Sequence, residues 1–171
     1  MLNKIEIKKA SFYSIPIIIN IRLVARIKQY IEQYPELSER DFTKSEKEIK
    51  QNIAVIRKLM RSSDNLWLTA KNKNKIVGFI RVRKDNQNIG HISALFVLPQ
   101  TQGLGIGSKL LQKALLWLKD TDEVRLAVVE KNVTAIKFYE KHGFKQTSEQ
   151  GKPFNINGKK SVNRIIMSKK H

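Results

Sequence analysis

The segment Leu95-Phe96-Val97-Leu98-Pro99-Gln100-Thr101-Gln102-Gly103-Leu104-Gly105-Ile106-Gly107-Ser108 carries the clearest chemical signal in the chain. Glycines at 103, 105 and 107 remove Cβ atoms where a backbone turns sharply and exposes successive N–H groups. An apolar stripe of Leu110, Leu111, Ala114, Leu115 and Leu118 then starts a helix. The N-terminus of that helix adds unpaired N–H groups and partial positive charge, so the segment suits a phosphate or pyrophosphate. Spacing narrows the ligand. A Walker A loop ends in Gly-Lys-Ser/Thr, whereas Gly107 is followed by Ser108-Lys109-Leu110. The dinucleotide fingerprint wants a third glycine where Ser108 stands, and the strands before it do not make a Rossmann unit. A purely structural glycine turn is the plain alternative.

Other chemistries are excluded by composition. The chain has no cysteine, which removes disulfides, thiolate metal sites and a Cys nucleophile. Histidines at 91, 142 and 171 are scattered and form no metal-ligand pattern, so no metal is expected.

The elements that position this segment follow from periodicity. Ile5 to Lys8 alternate as a first strand, and Ser14-Ile15-Pro16 starts a helix that runs to about Tyr34, before Pro35. Glu36 to Phe42 read as a loop. Thr43 and Ser45 are candidate caps of a second helix carrying Ile49, Ile53, Ile56 and Met60. Leu66–Ala70 and Ile76–Val82 form a hairpin around an Asn72–Lys75 turn, and Ile89–Leu98 is the strand entering the glycine segment. Val124–Val129 is a buried strand, Asn132 caps a short helix stopped by Gly143, and Phe144–Thr147 and Val162–Met167 are the last strands. Three strands before the first strand–helix unit argue for a mixed sheet in an α/β (α+β) protein. No repeat, linker or boundary divides residues 1–171, which are expected to form one domain.

Gln102-x-x-Gly105-x-Gly107 after a Leu-aromatic-Val strand resembles the acetyl-CoA loop of the GNAT superfamily of N-acetyltransferases. Val128-x-Glu130-x-Asn132, then Ala135-Ile136-x-Phe138-Tyr139-Glu140-Lys141-x-Gly143-Phe144, is similar to its downstream strand–helix motif. The close resemblance spans roughly residues 76–147. It implies a mixed, mostly antiparallel sheet of about seven strands flanked by four helices, with splayed central strands. It implies that the backbone of Gln102, Gly103, Leu104, Gly105, Ile106, Gly107 and Ser108 holds the CoA pyrophosphate, while Leu95, Phe96 and Val97 pair with the pantetheine arm. Asn132 falls on a position that touches the pantetheine, and it is also an ordinary N-cap. Tyr139 matches the tyrosine that protonates the CoA sulfur. His91 falls where many members carry a glutamate base, and a structural histidine is the alternative. Glu130, or a base acting through water, is a further option. The implied activity is acetyl transfer from acetyl-CoA to a primary amine by direct attack in a ternary complex.

The acceptor is least legible. Residues 130–144 and 158–167 are similar to bacterial polyamine acetyltransferases, and the acidic loop Glu32, Glu36, Glu39 and Asp41 offers contacts to a cationic amine. The net charge of +18 opposes a polycation's approach. A protein or peptide amine is the runner-up, and a non-catalytic CoA-binding module is the reading from another class. A nucleic-acid partner is not favoured, because the basic residues near the end are mostly Lys without interleaved aromatics. The charged, alternating start is wrong for a secretory signal, and the run Ile15–Ala25 is too short for a span. These features lead us to expect a cytoplasmic protein with no membrane partner, and a homodimer is compatible with them.

Overall fold

Side chains alternate across each strand's pleat, and that alternation decides which residues meet which helices. A computed structural model describes residues 5–156 and 158–170. The described residues form strands β1 (Glu6–Lys9), β2 (Asn65–Asn72), β3 (Lys75–Lys84), β4 (Ile89–Val97), β5 (Glu123–Val129), β6 (Lys145–Ile156) and β7 (Lys160–Lys170). Helices α1 (Ile15–Gln33) and α2 (Glu46–Arg61) precede β2; α3 (Ile106–Trp117) and α4 (Val133–Lys141) flank β5 in sequence. The sheet order is β1-β2-β3-β4-β5-β7-β6, antiparallel except for β4 with β5. This is the mixed seven-stranded sheet with four helices expected from the sequence.

One face of β2 and β3 presents Leu68, Ala70, Ile80 and Val82 to Ile106, Leu110, Leu111 and Ala114 of α3. The opposite face presents Trp67 and Phe79 to Ile15, Ile18 and Ile21 of α1 and Ile56 of α2. A third cluster (Tyr30, Tyr34, Phe42, Val129, Ile156 and Val162) ties the end of α1 to the β5–β7–β6 edge. Burying such side chains is the main favourable term of folding.

Local chemistry sets the boundaries. Ser45, not Thr43, caps α2: its Oγ accepts from the Glu48 N–H at 3.3 Å, and Glu48 Oε2 accepts from the Ser45 N–H at 2.9 Å. The β2–β3 turn has positive φ at Lys73 (47°) and Asn74 (64°), as a type I′ hairpin turn requires. β6 extends well past Thr147 to Ile156. Register irregularities at Gln146/Gln150 and Gly151/Phe154 break its alternation, which hid the strand in the sequence. Part of the loop 36–42 is a 3-10 turn, Glu39–Phe42, closed by Asp41 Oδ2 accepting from the Ser38 N–H at 2.8 Å.

The central strands separate. β4 pairs with β5 only from Ile89↔Glu123 to Ile92↔Leu126. Across β3, Val82 faces Ile92 and Arg81 faces Ala94, so Ser93 is an inserted residue that bends β4 where the parallel ladder ends. Leu95–Val97 then pair with β3 alone, while Ala127–Val129 pair with β7 alone. The splay expected from the resemblance is present.

Candidate active site

The free edge of β4 is the first component of the site. The Leu98 N–H donates to Val77 O at 2.8 Å, so alternation along β4 turns the polar groups of Phe96 toward β3 and those of Leu95 and Val97 toward the gap. Val97 O accepts a hydrogen bond from Gln102 Nε2 at 3.3 Å. An extended chain with amide groups could pair with that edge as an added strand does.

The glycine segment closes one end of the gap. Gly103 and Gly105 have φ of 81° and 71°, and Gly105 is the N-cap of α3. A Cβ on either would meet nothing within 4 Å, so the conformation, not the space, demands glycine. The N–H groups of Ile106, Gly107 and Ser108 open the helix and have no carbonyl one turn earlier. At Gly107 a Cβ would sit 3.4 Å from the Phe138 ring, which lets α3 approach α4 closely. A cleft of about 540 Å³ runs along this surface from Leu95–Val97 past Gln102–Ser108 to Asn132 and Tyr139. Its open strand edge suits a pantetheine arm, and its helix N-terminus suits a pyrophosphate.

Tyr139 is buried on α4 between Phe138 and Phe144, both edge-on at 5.2 and 5.6 Å between ring centres. Burial raises its phenol pKa above the ordinary tyrosine value, which keeps the proton on the oxygen. Asn132 caps α4, its Oδ1 accepting from the Ala135 N–H at 3.0 Å, and it also lines the cleft.

A second cavity, of about 300 Å³, meets the first at Gln29, Leu95, Phe96, Asn132, Ala135 and Tyr139. Arg22 and Arg26 of α1, Arg81 of β3 and Arg164 of β7 line it. Sequence reasoning did not single these out as a group. Two signals were available: Arg22 and Arg26 lie one helical turn apart on an apolar helix, and Arg81 interrupts an apolar strand. His142 was also passed over. It lines the first cleft, with Nδ1 2.7 Å from Phe138 O and its ring tilted against that of Phe138 at 4.5 Å between centres.

His91 lies apart from these residues. Its Nε2 is 2.6 Å from Asp85 Oδ2, a hydrogen-bonded contact that helps hold the Asp85 carboxyl down at about 2. It lines neither cavity, and at ~3.3 Å per residue it stands about 13 Å along β4 from Leu95. Glu130 is exposed and lines neither cavity, its backbone N–H donating to Asn163 O. The acidic loop is largely neutralised: Asp41 pairs with Lys159, Glu36 with Lys160 at 2.7 Å and Glu32 with Lys28 at 4.0 Å. None of these carboxylates lines the second cavity.

Splayed parallel strands, a glycine-led helix N-terminus and a buried tyrosine at their junction define the acyl-CoA N-acyltransferase class of α/β folds. The Acetyltransferase (GNAT) family profile matches residues 26–144, and the chain belongs to that family. It is 33% identical over 94 residues to the peptidyl-lysine N-acetyltransferase YjaB of Escherichia coli, a match covering 52% of this chain and 58% of that protein. The PaiA N-acetyltransferase from Thermoplasma acidophilum, solved in complex with coenzyme A, has a TM-score of 0.74 and 26% identity. That likeness covers 98% of this chain and 99% of the other. A spermidine N-acetyltransferase SpeG chimera from Vibrio cholerae and hSSAT shares the fold, with TM-score 0.73, 16% identity and coverage of 97% and 95%.

Proposed function

We propose that the protein is an N-acetyltransferase that moves an acetyl group from acetyl-CoA to a primary amine by direct attack within a ternary complex. The observation that carries this reading is the junction at Tyr139, where the cleft along the open β4 edge meets a separate cavity able to admit an acceptor. Acetyl-CoA, when bound, supplies an activated thioester carbonyl. The β4 edge at Leu95 and Val97 orients the pantetheine, and the backbone from Gln102 to Ser108, with positive φ at Gly103 and Gly105, holds the pyrophosphate.

The acceptor nitrogen forms the new C–N bond as the C–S bond breaks, and the electron pair leaves on sulfur. Tyr139, kept protonated by burial, gives its proton to that thiolate and regains one from solvent. The guanidinium groups of Arg22, Arg26, Arg81 and Arg164 disfavour an ammonium beside them, so the acceptor enters as the neutral, nucleophilic amine. The amine proton leaves through water, since no carboxylate lines the acceptor cavity among the described residues. The chain has no cysteine to carry an acyl group, which favours direct transfer.

The acceptor panel includes polyamines, as the resemblance and the fold neighbours suggest, and peptidyl lysine, as the name of the E. coli relative suggests. Thiol release from acetyl-CoA across amines, amino acids and peptides tests the activity, with calorimetry of acetyl-CoA binding alongside. Tyr139→Phe is expected to lower kcat about 100-fold or more while acetyl-CoA still binds. Gly105→Glu places a carboxylate and a strained backbone at the phosphate cradle and is expected to abolish binding. Bound acetyl-CoA with Tyr139→Phe as active as wild type would remove the tyrosine from the mechanism. No binding by the wild type would end the acetyl-CoA reading.

A further inference from the structure

We propose that the acceptor is a small amine bearing a carboxylate or phosphate, its anion held by Arg22, Arg26 and Arg81 in the cavity that adjoins the acetyl-CoA cleft at Tyr139. The inference rests on the acetyl-transfer reading above and names the substrate class of that site.

Four guanidinium groups line this cavity from three different elements, and among the described residues no carboxylate does. Their protein partners are neutral. Arg81 donates from Nε and Nη2 to Asn65 Oδ1 at 3.2 and 3.0 Å, and Arg164 donates from Nε to Lys152 O at 2.6 Å. Arg26 lies over the Phe154 ring at 4.4 Å and over Tyr30 at 5.6 Å. Arg26 also shares a side-chain hydrogen bond with Tyr30; stacking uses the face of its guanidinium and leaves the other N–H groups at the edge to donate. The Arg22 side chain has no hydrogen bond or ion pair with another described residue.

This arrangement costs stability. Desolvation lowers the affinity of Arg22, Arg26 and Arg81 for their protons; Arg26 adds to the effect on Arg22, and Arg83 and Arg22 add to that on Arg81. Half-buried cations without counter-charges persist where function requires them. A carboxylate or phosphate supplies the missing acceptors, and the planar arginine fork matches both.

The overall charge of +18 does not account for the cluster. Of the 33 basic residues, the cavity selects arginines and no lysine, while Lys159 and Lys160 take up the acidic loop. A polyamine would meet four cations and no anion. The volume of about 300 Å³ suits a small molecule.

Matched amines test the assignment: phosphoserine against serine, glutamate against glutamine, with spermidine and a peptide beginning in glutamate alongside. Each anionic amine is expected to exceed its neutral partner in kcat/KM by about tenfold or more. Arg22→Gln and Arg81→Gln are each expected to erase that preference through KM, with a melting temperature equal to or above wild type for Arg22→Gln, whose side chain gives up no hydrogen bond. Lys47→Gln, an equal change of net charge on the exposed side of α2, is expected to keep it. Spermidine or the neutral partners used as well as the anionic amines would overturn the proposal, and a peptide preferred over free glutamate would overturn its small-molecule part. If acetyl-CoA binds but no amine reacts, calorimetry of phosphoserine binding to the CoA-loaded protein decides: binding lost in Arg22→Gln supports the anion site, and no binding overturns it. If acetyl-CoA fails to bind, the acetyl-transfer reading fails by itself, and the same titration on the free protein still decides the anion site.

Discussion

At the scale of single residues, the division of labour follows from environment. Tyr139 and His91 are both titratable groups that the family resemblance brings forward, yet only Tyr139 sits where the two cavities meet. His91 spends its ring on Asp85. His91→Gln is therefore expected to reduce turnover far less than Tyr139→Phe does in the same thiol-release assay. Its effect falls on stability. Asp85 is held at about 2, by His91 first and then by the backbone N–H groups of Ile89 and Gln87, whereas an unfolded aspartate titrates near ~3.9. A depressed folded value contributes stability that is fully present above the unfolded value and lost as pH falls through the folded one. Asp85→Asn is thus expected to lower the melting temperature at neutral pH, with the gap to wild type closing between about pH 4 and pH 2. A gap constant over that range would contradict the His91–Asp85 contact.

At the scale of elements, β4 and α3 act together: one offers an open edge, the other its N-terminus, and both hang on the same core. Leu110 of α3 is fully buried against the sheet, and Leu110→Ala is expected to cost about 2–5 kcal/mol in denaturant unfolding. Gly105→Ala tests the local demand alone. At a φ of 71° a Cβ costs roughly 1–2 kcal/mol although nothing stands in its way. A stability loss of that size, with weakened but measurable acetyl-CoA binding, is the expected result. Unchanged stability would mean the loop adopts another conformation.

For the whole molecule, the +18 charge is an attractive field for CoA phosphates and an opposing one for polycations. Stopped-flow association of acetyl-CoA is expected to slow steeply as ionic strength rises, with dissociation changing much less. Equal salt dependence of both rates would place the effect in contacts instead of steering. Ion pairs with Lys159 and Lys160 fasten the loop after α1 to the start of β7 and its preceding turn. Among the described residues, no helix is long and apolar enough to cross a membrane.

The sequence alone determined features that local physics sets. Glycine spacing at 103, 105 and 107, the apolar stripe of α3 and the cap at Asn132 each depend on neighbours a few residues away, so the proposed cofactor side of the site was legible before any fold. The element order was legible too, because helical and strand periods differ. What local physics does not set was lost. The irregular ladder of β6 carries no clean period, and its length is decided by pairing with β7. The arginine cavity gathers Arg22, Arg26, Arg81 and Arg164 from positions up to 142 residues apart, and only the crossing of α1 over the splayed strands makes them neighbours. The acidic loop that looked like a binding surface finds its lysines only once β7 folds back beside it. The proposed donor site is thus written in short-range backbone geometry, and the proposed acceptor site in long-range packing.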